Sequence, residues 1–300
     1  MKSIIFPSDY NSNKKPNQFW EKEAAAAEAA GFELSFLSES HFESPLSIHN
    51  KKAKSLYRGW IIKPQIYLEF SNLGCELLNN NKSYLWSYNF PEWYSVLKDY
   101  SPESLTITGD EIVELGLDAV AVMAAKRLSG SILIKDWLKS RKHEWFDACF
   151  IRDISDTTES VRIMKNFFEL QGRDFYGGLV FRNFLKLKQL GIHPKSRMPL
   201  SIEFRTFFLN KEPIFTVPYW DNDVPYTDEV KPPTMDWLKM IGQKLQSPFV
   251  ALDIAQDEDD KWWVIEVNDG GFSGTPERTD LNEFYGILFD KLKDDNGKSI

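Results

Sequence analysis

Phe249-Val250-Ala251-Leu252-Asp253-Ile254-Ala255-Gln256, followed by Asp257-Glu258-Asp259-Asp260-Lys261 and then Trp262-Trp263-Val264-Ile265-Glu266-Val267-Asn268, reads as two strands joined by a polar turn. Val250, Leu252 and Ile254 alternate with Ala251, Asp253 and Ala255, the period-two pattern of a strand with two distinct faces. Trp263, Ile265 and Val267 alternate with Val264, Glu266 and Asn268 in the same way. Matching the apolar faces sets the register, with Leu252 opposite Val267, Ile254 opposite Ile265 and Asp253 opposite Glu266. Opposed Cβ atoms in an antiparallel pair lie about 4.5–5.5 Å apart. Two carboxylates are thus forced together, with the Asn268 amide farther along the same face. Like charges this close repel unless a cation or a proton intervenes. Hard oxygen donors of this kind suit Mg²⁺, which takes one or two carboxylates and completes its shell with water and phosphate oxygens. A solvated hairpin face is the plainer alternative. The turn acids Asp257–Asp260 read as a solvated charge run.

Away from the hairpin, the chain has 300 residues, enough for one large domain or two to three lobes. Thirty-six Lys and Arg against 44 Asp and Glu give a net charge of −8, which disfavours a nucleic-acid partner without excluding a local basic groove. The basic stretches Lys135–His143 and Lys186–Arg197 are the places for one. Cys75 and Cys149 form no CxxC pair, and no apolar run approaches the ~20 residues of a membrane span. The expectation is a soluble, cytoplasmic protein with no membrane partner.

Strand, helix and strand follow one another at Ile4–Phe6, Ala24–Ala30 and Phe32–Leu37, with Asn17 as cap and Gly31 as stop. The stretch Ser55–Ile62, with Arg58–Gly59–Trp60 at its centre, comes next, then expected helices at Ile66–Leu78 and from Pro91 to Leu97, and a boundary at Ser101–Pro102. Beyond it come a strand at Ser104–Thr108, a helix at Leu117–Leu128, strands at Ser131–Lys135 and Cys149–Arg152, and a helix capped by Asp156. Strands at Leu179–Phe184, Leu200–Leu209 and Ile214–Val217, and helices at Pro233–Leu245 and Leu281–Leu292, complete an α+β or α/β chain built in lobes. The Trp86–Trp93 aromatics suggest an interface or a lid.

Lys135 ends an apolar strand, where an ammonium can hold a nucleotide phosphate or merely blunt a sheet edge. Arg182 and Arg205 lie in strands too apolar for idle surface arginines, and Glu203 shares a strand face with Arg205. Lys139, Arg141, Lys142 and His143 form a basic cluster that reads equally well as a wet helix face. P-loop, nucleophile-elbow and zinc patterns are absent from the sequence, and its four histidines are scattered.

Taken in order, Tyr57–Trp60, Ile134–Trp145, Gly177–Arg182, Pro199–Arg205, Pro218–Trp220, Leu252–Ala255 and Val264–Gly270 resemble the ATP-grasp superfamily, specifically its R2K clade. The resemblance implies an ATP-grasp fold: a pre-ATP-grasp lobe at 1–103, a smaller α+β subdomain at 104–185 ending in a hinge strand, and a C-terminal α+β subdomain at 186–300. It implies that Lys135 and Arg205 are catalytic. ATP is met by Lys135, Arg182, Asn183, Phe184, Leu185 and Arg205, and Mg²⁺ by Asp253, Glu266 and Asn268, with Asp269 as a replacement or companion third ligand. Arg58 and Glu203 are the substrate-binding candidates. The implied activity joins a small-molecule or peptide carboxylate to an amine through an acyl phosphate, at the expense of ATP. A phosphotransferase or RNA- or nucleotide-modifying enzyme is the alternative, and a non-catalytic nucleotide-binding module is the third reading.

Overall fold

The computed structural model describes residues 3–9, 12–37, 54–72, 75–192, 199–221, 224, 226–227 and 229–294. Three groups of elements follow one another along the chain. The first is β1 (Ser3–Asp9), β2 (Ser12–Pro16), α1 (Glu21–Ala29), β3 (Glu33–Leu37), β4 (Ser55–Tyr57), α2 (Pro64–Asn72), α3 (Asn81–Tyr88) and α4 (Phe90–Leu97). The second is β5 (Ser104–Thr108), α5 (Gly109–Leu115), α6 (Leu117–Arg127), β6 (Ile132–Asp136), β7 (Phe150–Ile151), α7 (Thr157–Gln171) and β8 (Gly178–Asn183). The third is β9 (Gln189–Ile192), β10 (Pro199–Ser201), β11 (Glu203–Leu209), β12 (Glu212–Pro218), α8 (Met235–Gly242), β13 (Phe249–Gln256), β14 (Trp262–Asp269) and α9 (Leu281–Asp294).

In the first group β1 pairs in parallel with both β3 and β4, as expected of a strand–helix–strand start whose crossover is α1. Asn17 caps a 3-10 turn, Gln18–Trp20, that runs directly into α1. The second group is an antiparallel sheet in the order β5-β8-β6-β7, with a core of its own formed by the strands, α6 and α7. Asp156 caps α7 through the Glu159 amide at 2.9 Å. The third is an antiparallel sheet in the order β12-β11-β13-β14. Its β11–β12 turn places Asn210 and Lys211 at φ 48° and 72°, which matches the two-positive-φ hairpin turn that suits twisted strands.

Both faces of this third sheet are covered. Phe207, Leu209, Phe249 and Ala251 pack against β1, α1 and α9, while Phe208, Val250, Leu252 and Ile254 pack against α4 and α8. The period-two alternation of β13 therefore separates two cores, and Asp253 continues the row of Phe249 and Ala251 beyond the edge of the first core.

Several expectations change. Helix at 66–78 gives way to α2, and Leu77 instead bridges Ser55 in parallel, because an apolar run serves a buried strand as well as a helix. The Asn79–Asn81 stop is a start: Asn80 caps α3 through the Ser83 amide at 2.9 Å. Expected strand Leu200–Leu209 breaks at Ile202, whose N–H donates to Lys188 while its carbonyl accepts from Gln256, so the chain crosses between two sheets there. Trp86 and Trp93 are buried in the core beneath β13, which removes them as an exposed interface. Of the second basic stretch, Lys195 and Arg197 lie outside the described residues. Among the described residues, no helix is long and apolar enough to cross a membrane.

Candidate active site

Arg205, Asp253 and Glu266 are neighbours across three adjacent strands, since Arg205 pairs with Asp253 and Asp253 with Glu266. Arg205 grips Asp253 with Nε and Nη2 at 2.7 and 2.8 Å, and the Tyr219 ring lies 5.1 Å from the guanidinium. The partner of Arg205 is therefore on the next strand, not Glu203 on its own. Burial pushes the Asp253 carboxyl up; Arg205 opposes that shift and the facing Glu266 adds to it.

The register agrees with expectation at Leu252–Val267 and Asp253–Glu266, then departs from it. Ile254 faces Val264, not Ile265, because a bulge falls between Asp253 and Ile254. The extra residue, Ile265, lines the cleft, and its carbonyl accepts from Arg182 Nη1 at 2.6 Å. The bulge thus ties the carboxylate hairpin to β8 of the facing sheet.

From that sheet Lys135 reaches Glu266, Nζ to Oε1 at 2.8 Å. Burial alone would raise the Glu266 carboxyl, but Lys135, Lys142 and Arg182 outweigh it and hold the group at about 2. Arg182 is nearly buried, stacked 4.9 Å over Phe90, and its Nε and Nη2 find no partner among the described residues. Burial lowers its pKa to about 10. Two donors without acceptors are costly in a buried guanidinium and mark it as a group awaiting an anion.

A cavity of about 390 Å³ opens beside these residues, walled by Leu133, Trp145, Phe184, Leu200, Trp220 and Ile265. Asn183, Leu185, Lys142 and Glu203 also line it. Asn183 N–H is taken by Glu103 and Phe184 N–H by Ser131, both at 2.8 Å, so among these three residues the N–H left over is that of Leu185. A smaller cavity of about 60 Å³ continues past Lys142 and Arg182 to Lys135 and Glu266. Lys142 is the residue that sequence reasoning left undecided. It opens the 3-10 turn Lys142–Glu144, which runs straight into the π-helical turn Trp145–Cys149, and it lines both cavities. Burial works against its charge, yet Tyr219, Glu203, Glu266 and Asp253 together raise its pKa. Trp145 was the available signal, an aromatic that a merely wet basic helix has no reason to carry.

Asp269 does not join the row. It lies on the opposite face of β14, 2% exposed, accepting from Asn79 Nδ2 and from the Gly271 amide at 2.7 Å. Asn268 and Glu266 instead share the wall of a further cavity on the cleft side. Asn79 also accepts from Phe249 N–H at 2.9 Å and donates to Phe249 C=O at 2.7 Å, completing the end of β13 as a strand would.

Arg58 is sealed as well, at 0% exposure. It pairs with Glu23 at 2.5 Å, donates to Gly270 C=O and to Ser273 C=O at 2.7 Å, and so clamps the 270–274 loop onto the first group of elements. With its donors taken inside the fold it is not placed to meet a substrate. Glu203 remains on the cavity wall.

Burial raises two of these carboxyls, Glu203 and Asp269, each to about 7. A folded-state pKa above the unfolded value contributes stability at low pH that is lost as pH rises through the folded value. Thermal stability should therefore decline from about pH 4 to 7, the interval between the unfolded carboxyl values and the folded ones, and Asp269→Asn should flatten that decline. A slope identical in wild type and variant would show that Asp269 titrates normally.

The hairpin offers two carboxylates and one amide, all oxygen donors, and no three His, Cys, Asp or Glu side chains cluster as a metal site among the described residues. That donor set fits a Mg²⁺ that takes its remaining ligands from water and phosphate.

Comparison with known proteins bears on the family. A comparison with curated proteins finds no match. Among solved structures, D-cycloserine synthetase DcsG superposes with a TM-score of 0.60 at 10% identity, over 97% of this chain and 99% of that one. The RimK-domain ATP-grasp protein of Sphaerobacter thermophilus gives 0.60 at 12% identity, over 96% and 98%. ATP-grasp ligase PsnB, solved with minimal precursor, Mg and ADP, gives 0.55 at 14% identity, over 99% and 98%. Identities this low speak for the fold, and the fold is ATP-grasp. The family model for the ATP-grasp domain, R2K clade family 3, matches residues 122–288, more than half of the sequence, and the chain belongs to that family.

Proposed function

We propose that the protein is a Mg²⁺- and ATP-dependent carboxylate ligase. The observation that carries this reading is the row Arg205–Asp253–Glu266 facing Lys135 and the half-satisfied Arg182 across a cleft that continues into an apolar, base-sized cavity. The adenine would lie against Trp145, Leu133, Phe184 and Ile265, beside the hinge backbone at Asn183–Leu185. Lys135, Lys142 and Arg182 would take the phosphates, and Arg205 the transferred one. Asp253, Glu266 and Asn268 would hold Mg²⁺, which neutralises phosphate charge and orients the triphosphate when bound. The units of this machine would be 1–103, 104–185 and 186–300.

In the first step a substrate carboxylate oxygen attacks the γ-phosphorus. The new O–P bond forms as the bond to the β,γ-bridging oxygen breaks, and ADP leaves. An amine then attacks the acyl carbon, phosphate leaves, and the nitrogen loses its proton. Phosphoryl transfer needs positioning and charge neutralisation more than covalent help, and convergent cations are what the cleft supplies. DcsG is named as a synthetase, and PsnB was solved with a precursor peptide and AMPPNP, which supports ligation with a small-molecule or peptide acceptor.

Incubation with Mg-ATP, hydroxylamine and a panel of carboxylic acids should give ADP and hydroxamate in equal amounts. Phosphorylation of a hydroxyl compound without hydroxamate would replace the ligase reading by the phosphotransferase one.

A further inference from the structure

On the far side of Glu266 from the nucleotide cavity lies a second space of about 390 Å³. Trp20, Trp60, Ile61 and Phe272 line it together with Lys139 and Glu266. Glu266 belongs both to this wall and to that of the small cavity containing Lys135 and Arg182, so a molecule held here meets the phosphate end of the cleft. The volume falls in the ordinary range for a small-molecule site.

The walls are held from outside. Gly59 N–H donates to Gly271 C=O at 2.9 Å, and Arg205 Nη1 to Gly274 C=O at 2.7 Å. Leu138 is fixed by its amide on the buried Asp136 at 2.7 Å, and the Lys139 amide binds the same oxygen at 2.5 Å. Trp60 stands edge-on to Trp20, with centroids 6.0 Å apart and planes at 83°, and Phe19 meets Trp60 at 6.3 Å and 74°. Phe19 is 76% exposed, so the aromatic ladder reaches out to solvent at the mouth.

Charge on these walls is sparse. Lys139 is their one cationic side chain and makes no ion pair among the described residues, and Glu266 is their one carboxylate. A single carboxylate can sit between Lys139 and the phosphate end. A second would find no cation to pair with, since the rest of the wall is the Asn268 amide, backbone and apolar side chains, and it would lose its water without a counter-charge.

We infer that this cavity holds the acceptor, and that the acceptor is a monocarboxylate with an aromatic or branched apolar body selected by Trp60. The inference rests on the ligase reading for the cavity's role in turnover, but its binding chemistry can be tested apart from that reading. N-acetylphenylalanine, N-acetylglutamate and acetate serve as probes, titrated calorimetrically into enzyme saturated with Mg-ADP and also assayed for hydroxamate with Mg-ATP and hydroxylamine. N-acetylphenylalanine should bind at least about 10-fold more tightly than N-acetylglutamate, since one apolar contact set is worth 10- to 200-fold. Trp60→Ala should erase the preference with ATP affinity unchanged, and Trp60→Phe should keep most of it. Exposed Lys139→Ala should weaken all three acids alike.

Tighter binding of N-acetylglutamate, or a preference that survives Trp60→Ala, overturns the inference. Hydroxamate from N-acetylglutamate but not N-acetylphenylalanine overturns it while leaving the ligase reading in place. Trp60-dependent binding of N-acetylphenylalanine without hydroxamate from any acid supports the pocket's chemistry and sinks the ligase reading instead.

Discussion

Glu266→Gln should cost about 10²–10³-fold in kcat for ATP-dependent turnover, measured as ADP release, the loss typical of removing one preorganised charge-stabilising group. The residue stands where three features meet: opposite Asp253 in the strand pair, in contact with Lys135 from the facing sheet, and in the wall shared by two cavities. Gln preserves the shape and removes the charge. The fold should tolerate the change, because the repulsion between Asp253 and Glu266 goes with it and the lost Lys135 ion pair is partly solvated. The Glu266 carboxyl, held at about 2, contributes stability that is complete above roughly pH 4.5 and is lost progressively as pH falls to 2, so any stability gap between variant and wild type should narrow across that range. A variant that is fully active at neutral pH would remove Glu266 from the chemistry.

The largest effect on stability should come from Glu23→Ala. Glu23 accepts from Arg58 Nε at 3.1 Å and Nη2 at 2.5 Å, from Tyr285 at 2.5 Å, and from Thr275 at 2.9 Å. Arg58 is fully buried, with Trp20, Phe207 and Phe284 rings at 5.6, 6.0 and 6.0 Å. Burial opposes its charge, and only Glu23 and Tyr285 keep its pKa raised. Removing the carboxylate leaves a guanidinium without its counter-ion among apolar rings, at a cost of about 3–5 kcal/mol. For a chain this size that is a fall of roughly 10 °C in Tm. The double variant Glu23→Leu with Arg58→Met should recover part of the loss, since a buried pair replaced by apolar groups is often close to neutral. A drop of under about 2 °C in the single variant would mean that the clamp does not hold the 270–274 loop to the first lobe.

What the sequence made legible follows the range of the forces involved. The hairpin could be read because strand alternation is local, and two apolar faces admit only one register around Asp253 and Glu266. The bulge at Ile265 could not, since it answers to Arg182, 83 positions away in the chain. Arg58 entered as a substrate-binding candidate through the family resemblance alone. Its true partner, Glu23, sits in an alanine-rich helix that gives no hint of a buried acid. Asp269 adjoins the Asp253–Glu266 row in sequence but faces away from it, and the alternation that set Glu266 opposite Asp253 also separates the two. Lys142 and Trp145 enter the cleft through irregular turns, for which residue patterns carry no period to detect.

The most direct measurement is thermal unfolding of wild type and Glu266→Gln, each with and without about 1 mM ATP and with or without Mg²⁺. Ligand at about 100 times its dissociation constant adds about 2.7 kcal/mol, a rise of several degrees. A Mg²⁺-dependent rise in wild type that shrinks in the variant is the expected result and places nucleotide and metal at the Asp253–Glu266 row. Equal shifts in both proteins, or none in either, would contradict that placement.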